Sequence, residues 1–292
     1  MTFFIKGMGM TKIIEVVPYN PLWSEMFERE AEYIRQALGD NCLYVHHVGS
    51  TSVPGLAAKP TIDVIVVAND MRQATQDLEN KGYLAKGEYN IPFRMFFTKR
   101  DELVNINLHM YEDDNPEIEL NLLFRDYLRN DSNARDRYAA LKFNLLDKQE
   151  SHQKNNARFS GYNLGKDAFI KEILTQAGFK RVCVRVCSHY DEWDAARTFR
   201  QKYVFDKVPV SDPYTWTFDH KDHVHFILYK GTVIVGYAHI QLGQESEAVI
   251  RIITIDEPYR NGGLEGQFLA ICERWLEQQG FKKSQIRSSP EI

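Results

Sequence analysis

Apolar residues recur along the first half of the chain with two distinct periods. Between positions 23 and 38 they fall at Trp23, Met26, Phe27, Ala31, Ile34 and Leu38, close to the helical repeat, and Gly39 ends the run. Residues 43–48 are half apolar and read as a strand. Residues 62–67 are β-branched except for Asp63, the pattern of a strand buried on both faces. Residues 71–80 predict a helix with a polar outer face, stopped by Lys81-Gly82. Residues 93–98 and 103–110 predict paired strands across a charged turn, and residues 112–116 a loop. Helices follow over 117–128, 134–148 and 162–177, the last capped by Gly178, with residues 149–160 a polar connection. Ahead of all these, residues 13–17 predict a short strand ended by Pro18.

The pattern changes at Lys180. Val182, Val184 and Val186 alternate with Cys183, Arg185 and Cys187, which predicts a strand, and residues 192–204 predict a helix. Three strands follow over 224–229, 232–242 and 248–255, the first two joined by the tight turn Lys230-Gly231. Leu264, Phe268, Ile271, Trp275 and Leu276 mark an amphipathic helix over 264–279, and residues 284–288 a final strand. The change at 180 divides the chain into two expected domains, 1–179 and 180–292.

A length of 292 residues is enough for two cores. With 43% apolar and 26% charged residues the composition is that of an ordinary globular protein. A net charge of −4 supplies no general attraction for nucleic acid or an anionic membrane. Cys42, Cys183, Cys187 and Cys272 follow no metal-ligand or redox spacing and read as buried, reduced thiols. No apolar run approaches the ~20 residues that span a bilayer, and residues 1–12 lack the apolar core and cleavage site of a signal peptide. The expectation is a cytoplasmic protein that handles a small molecule, with no nucleic-acid or membrane partner.

Candidate chemistry concentrates first at residues 46–67, HHVGSTSVPGLAAKPTIDVIVV. The Gly49-Ser50-Thr51 turn offers backbone N–H groups and hydroxyls to an anion, Lys59 can balance charge, and Asp63 can hold a divalent cation. An ordinary hairpin turn would use the same residue types. This stretch resembles the signature of the GrpB (UPF0157) family, related to the nucleotidyltransferase superfamily. The likeness extends to Val16-Val17-Pro18-Tyr19-Asn20-Pro21-Leu22-Trp23, Arg94-Met95-Phe96-Phe97, Asn107-Leu108-His109 and Leu123-Phe124-Arg125-Asp126-Tyr127-Leu128-Arg129. It continues through Tyr138-Ala139-Ala140-Leu141-Lys142 and Lys166-Asp167-Ala168-Phe169-Ile170, and covers roughly residues 12–178. The resemblance implies a phosphate site at Gly49, Ser50, Thr51 and Lys59, with Arg94, His109 and Arg125 converging on it. It also implies Asp63 as catalytic metal ligand for Mg2+ and a nucleoside triphosphate. Without it, Arg125 beside Asp126 is a helix-surface ion pair and His109 a hydrogen-bonded core histidine. The chain departs from the superfamily at Ile65, where a second acid would complete a two-metal site.

The second concentration is Ile253-Thr254-Ile255-Asp256-Glu257-Pro258-Tyr259-Arg260-Asn261-Gly262-Gly263-Leu264, a strand, a turn and a helix start. The glycines permit close backbone approach and the helix directs unpaired N–H groups at a pyrophosphate-like anion; a plain strand-to-helix connection is the alternative. In its setting of a strand, a helix and three antiparallel strands, the turn resembles that of the Gcn5-related N-acetyltransferase (GNAT) family, over roughly residues 181–292. The resemblance implies acetyl-CoA as cofactor, held by Arg260, Asn261, Gly262, Gly263 and Leu264 with backbone groups of Ile253 and Ile255. His239, Asp256 and Glu257 are then alternative catalytic bases, and Tyr237 and His239 share a strand face toward the acceptor. Glu265 stands where the family has a small residue. The family's last helix and two final strands have no counterpart before Ile292, so that the chain is truncated, a partner chain completes the sheet, or the domain is degenerate; an exposed sheet edge would favour pairing with a second copy of the chain.

Together these readings predict an α+β protein of two domains. A nucleotidyltransferase-like mixed sheet with helices is followed by a GNAT-like mixed sheet lacking its last elements. The expected activity is acetyl transfer to an amine of a small molecule. The alternatives are nucleotidyl transfer by the first domain, or a non-catalytic ligand-sensing protein built from two enzyme folds.

Overall fold

The computed structural model describes residues 15–100, 104–148, 160–206, 212–281 and 283–286. Helix α1 (Leu22–Leu38) opens the first domain, followed by strands β1 (Cys42–Val48) and β2 (Thr61–Ala68), helix α2 (Met71–Asn80) and strands β3 (Leu84–Ala85), β4 (Met95–Arg100) and β5 (Asn105–Tyr111). The sheet order is β1-β2-β5-β4-β3, parallel only between β2 and β5. Helices α3 (Pro116–Asn130) and α4 (Ser132–Leu146) complete the first run. Caps define their ends: Asp70 accepts from Arg72 and Gln73 N–H, Asn115 from Glu117 N–H, and Asp131 from Ala134 N–H.

The period-2 pattern of β2 decides which side each residue serves. Ile62, Val64 and Val66 pack with Phe27, Ala31 and Ile34 of α1, whereas Ile65 and Val67 join a smaller cluster against Ile118 and Leu122 of α3. Asp63 shares parity with the second set, so the strand presents it away from the main core. The expected helix over 162–177 is two pieces, α5 (Gly161–Leu164) and α6 (Asp167–Gln176). The break falls at Gly165-Lys166, where a Cβ on Gly165 would lie 2.4 Å from Leu145 of α4. Glycine is a poor helix former, and a larger residue there would have to displace the Leu145 side chain. Gly178, at φ +79°, ends α6 as expected. Val17 makes only an isolated bridge to Ala58. Residues 13–14, 101–103, 149–159 and 287–288, which the sequence assigns to strand, turn and connection, lie outside the described residues.

The second domain comprises β6 (Val182–Val186), α7 (Tyr190–Tyr203), β7 (His223–Lys230), β8 (Val233–Leu242), β9 (Glu247–Ile255), α8 (Leu264–Gln278) and β10 (Lys283–Ile286). Its sheet order is β10-β9-β8-β7-β6, antiparallel except that β10 runs parallel to β9. Helix α8 covers one face through Leu264, Phe268, Cys272, Trp275 and Leu276. Helix α7 covers the other through Ala196 and Phe199, against Cys183, Ile227, Tyr237 and Ile252.

The two domains share packing. Leu174 and Phe179 belong to the second core, and Leu120, Leu123 and Phe124 of α3 lie against it. Arg185 of β6 meets the buried Glu117 carboxylate at 2.6 Å. Trp275 Nε1 donates to Glu88 at 2.8 Å, and Val186 N–H donates to the Asn90 carbonyl at 3.0 Å.

Candidate functional sites

In the first domain β1 and β2 pair so that Val48 stands opposite Asp63, and the turn between them closes over that carboxylate. Gly49 has φ +69°, and a Cβ there would fall 2.4 Å from Asp63 Oδ2. The turn Ser50–Ser52 is pinned by Ser52 N–H and hydroxyl, both donating to the Gly49 carbonyl. Beside it lies a cavity of 280 Å³ lined by Ser50, Lys59, Asp63, Asn107, Lys142 and Lys166, with Thr51, Tyr162 and Asn163. Three lysines thus face one carboxylate.

Lys142 is 2% exposed. It donates to the Ala57 carbonyl and to Ser50 Oγ (3.2 Å), and lies over the Tyr138 ring at 4.6 Å. Lys166 meets the Asn163 amide oxygen at 3.5 Å and the Tyr162 ring at 4.8 Å, and Lys59 sits over the same ring at 4.0 Å. Burial pushes the Lys142 ammonium down to about 7, the neighbouring Lys166 charge adding to the effect, and burial pushes Lys166 down to about 8, offset in part by Asp63. A bound anion would relieve both penalties.

The structure brings Gly49, Ser50, Thr51, Lys59 and Asp63 together, and leaves Arg94, His109 and Arg125 outside the cavity lining. The Thr51 hydroxyl is 2% exposed and bonded to the Thr61 carbonyl (3.0 Å) and His47 Nε2 (3.1 Å), so it ties the turn instead of facing a ligand. Arg125 is spent on Asp126, through two bonds of 2.7 and 3.0 Å, and on the His47 carbonyl. Arg94 is buried and bonded to the Glu88 carbonyl (3.0 Å) and His109 Nδ1 (3.3 Å). That donor makes Nδ1 the acceptor, which leaves the His109 proton on Nε2, 4.0 Å from Asp63 Oδ1. Arg94 and His109 therefore support Asp63 from outside the cavity. Asn107, opposite Asp63 in the β2–β5 register, donates to Asp63 Oδ1 at 2.9 Å.

The expected metal role of Asp63 finds no support. Among the described residues no three His, Cys, Asp or Glu side chains gather to hold an ion. Asp63 is surrounded by an amide and cations, where Mg2+ would need further oxygen ligands. Sequence reasoning gave Lys142, Lys166 and Asn107 no role. A signal existed for Lys142, which falls on the buried stripe Ala134, Tyr138, Lys142, Leu145 of α4.

In the second domain β10 pairs with β9 only from Glu247 to Ile250. From Arg251 to Ile255 the outer edge of β9 has no strand partner among the described residues, while its inner edge continues to pair with β8. Alternate amides of a strand point to opposite edges, so part of the 253–255 backbone faces this opening. The strand runs into the 3-10 turn Glu257–Gly262 and then Gly263, at φ +70°, whose would-be Cβ meets nothing within 4 Å. Leu264 starts α8 and is buried, Asn261 and Gly262 are exposed, and no side chain caps the helix. Among the described residues, backbone without a strand partner therefore lies beside a helix N-terminus. Arg260 bends back, its Nε donating to the Ile255 carbonyl at 2.9 Å and its guanidinium lying 4.7 Å over the Tyr203 ring. Glu265 occupies the first turn of α8.

The candidate bases divide. Asp256 accepts from the Tyr203 hydroxyl and from Lys202 (3.0 Å), and these two hold its carboxyl below the usual range, which weakens it as a base. Glu257 is exposed at the start of the turn. His239 does not meet a substrate: it is 0% exposed, bonded to His223 (2.8 Å) and Arg200 (3.3 Å), and stacked on His225 at 4.4 Å. Burial, then the neighbouring His225 and Arg200, push it far below its ordinary range, so it stays neutral. Tyr237 shares its face and is equally sealed, bonded to His225 and Arg200.

Comparison with known proteins gives two family matches. Residues 13–176 match the family described as GrpB protein, and residues 189–289 match the acetyltransferase (GNAT) family. The UPF0157 protein YqkA of Bacillus subtilis is 38% identical over 161 residues, 54% of this chain but only 45% of that protein's length. The crystal structure of conserved protein GrpB from Enterococcus faecalis aligns with 36% identity and a TM-score of 0.48, covering 56% of this chain and 96% of that one. AAC(6')-Iy, solved in complex with a CoA-S-monomethyl-acetylneamine bisubstrate analog, aligns with 16% identity and a TM-score of 0.32, covering 38% of this chain and 82% of that one. Among the described residues no helix is long and apolar enough to cross a membrane.

Proposed function

The chain belongs to the GrpB family and carries a GNAT acetyltransferase domain behind that unit, and from this premise we propose that it transfers an acetyl group from acetyl-CoA to an amine of a small molecule. The observation that carries the reading is the β9 stretch Arg251–Ile255, which has no outer-edge strand partner among the described residues and leads directly into the uncapped start of α8 at Gly263. Acetyl-CoA would be held here by outward-facing backbone amides of the 253–255 stretch, which would polarise its acyl oxygen, and by those of residues 262–264 at the helix start, which would take its pyrophosphate. Acetyl-CoA, when bound, supplies an activated acyl group. Glu257 is the base for the amine, and Asp256, held ionised by Lys202 and Tyr203, favours the approach of a cationic acceptor. Glu265 opposes the cofactor's charge from the exposed side of the first turn, which limits affinity.

Calorimetric titration of the full chain with acetyl-CoA should show one site. Gly263→Asp, which puts a carboxylate and a side chain into the left-handed position at the cradle, should weaken binding at least tenfold, ~1.4 kcal/mol. No heat with the unaltered protein, or an unchanged affinity in the variant, would remove the proposal.

A second reading concerns the first domain, which we take to be a metal-independent anion site. Lys59, Lys142 and Lys166 lining a cavity with a single carboxylate favour it, because the buried ammonium groups of Lys142 and Lys166 gain from a negative ligand.

A further inference from the structure

A second cavity, of 340 Å³, lies between the domains. Ile170 and Leu174 of α6 form one wall, Tyr229 and Glu192 another, and Asn163 and Lys166 line both this cavity and the lysine cavity. The short helix α5 and the break after it therefore border both spaces.

Charge pairing distinguishes the two spaces. Around the interdomain cavity, Lys171 is matched by Asp167 at 2.7 Å, Arg185 by Glu117 at 2.6 Å and His189 by Glu192 at 3.3 Å. Lys166, at the junction, meets an amide oxygen and a ring at hydrogen-bond and contact range, with Asp63 acting on it only through its charge. A charged group is thus favoured on the lysine side, whereas the interdomain side offers apolar walls, the Tyr229 ring and the polar edges of Asn90 and Glu192. Each cavity alone lies near the lower end of the roughly 300–1,000 Å³ typical of small-molecule sites.

We infer that the two cavities together hold one phosphomonoester, its phosphate on Lys59, Lys142 and Lys166 and its uncharged, flat, partly apolar body between the domains. A nucleoside monophosphate has this chemistry. The inference rests on the anion reading of the lysine cavity and goes beyond it by placing the rest of the ligand against residues of the second domain.

The test is titration of the full-length protein, in EDTA, with inorganic phosphate and separately with AMP, GMP, CMP and UMP. At least one nucleotide should bind tenfold or more tightly than phosphate. Ile170→Trp, which fills the interdomain cavity, should reduce that nucleotide to the affinity of phosphate and leave phosphate binding unchanged. Thr232→Trp, at the cavity rim, should do the same and serves if the first variant does not fold. Phosphate binding with no nucleotide advantage, or an advantage that survives a folded cavity-filling variant, would overturn the inference and leave the anion site standing. Absence of phosphate binding would overturn both.

Discussion

Replacing Asp212 with alanine should cost the protein about 3–5 kcal/mol, the range for breaking a buried ion pair from one side. Arg200 is 0% exposed, and its guanidinium is held by Asp212 through two bonds, Nε to Oδ2 at 2.5 Å and Nη2 to Oδ1 at 3.0 Å. The rest of the guanidinium meets the Tyr237 hydroxyl and His239 Nδ1, both at 3.3 Å, and neither can supply negative charge at neutral pH. Asp212 also accepts the Tyr214 N–H, so alanine removes one end of a turn as well. Urea denaturation followed by tryptophan fluorescence reads the loss, since Trp193 packs on Phe218 and His225 within the same cluster. The double variant Arg200→Met/Asp212→Ala should lose less than Asp212→Ala alone, because it leaves no orphaned charge. A cost below ~1 kcal/mol would mean that water reaches the guanidinium.

Gly49→Ala should lose roughly 2–4 kcal/mol and also weaken the lysine cavity. Two penalties combine. At φ +69° and ψ −172° the residue occupies a region almost confined to glycine, worth about 1–3 kcal/mol of strain for any other. The new methyl would sit 2.4 Å from Asp63 Oδ2 and 2.9 Å from Asp63 Cβ, so the carboxylate must leave Asn107. Overpacking of this kind typically costs a further ~1–3 kcal/mol. Gly82→Ala provides the control, with φ +88° but nothing within 4 Å of the added carbon. It should show strain alone. Equal denaturation midpoints for the two variants would mean that Asp63 can move aside freely.

The elements were legible where one period dominated. The apolar spacing in α1 named its five buried residues, and the β-branched run of β2 announced a strand buried on both faces, although which face carries Asp63 emerged only with the packing of α1 and α3. The break between α5 and α6 was not legible, because a close approach of Gly165 to Leu145 is a tertiary fact with no local period. The candidate sites divide the same way. Gly49, Ser50, Lys59 and Asp63 lie in one short segment, and the pairing of β1 with β2 gathers them. Arg94, His109 and Arg125 come from distant elements and bond chiefly to other protein groups: Arg94 to the Glu88 carbonyl and His109, and Arg125 to Asp126 and the His47 carbonyl. Two side chains carried an unused signal. Lys142 and Arg200 both occupy core-facing positions of their helices, where a charge needs a partner or a task. His239 misled for the converse reason: its strand face was read correctly, but the Arg200 and His223 side chains that seal it come from elsewhere in the domain.

The first-domain account depends on lysine charge standing where a metal ion would otherwise stand. Sulfate keeps the same charge across the useful range, so its affinity for the full chain, measured calorimetrically in EDTA at pH 6 and pH 9, isolates the protein's contribution. With Lys142 titrating near 7 and Lys166 near 8, both are largely protonated at the lower pH and largely neutral at the higher. Binding should therefore be present without metal and weaken at least tenfold, ~1.4 kcal/mol, on going from pH 6 to pH 9. Binding that appears only when Mg2+ is added, or an affinity that does not change between the two pH values, would contradict the account.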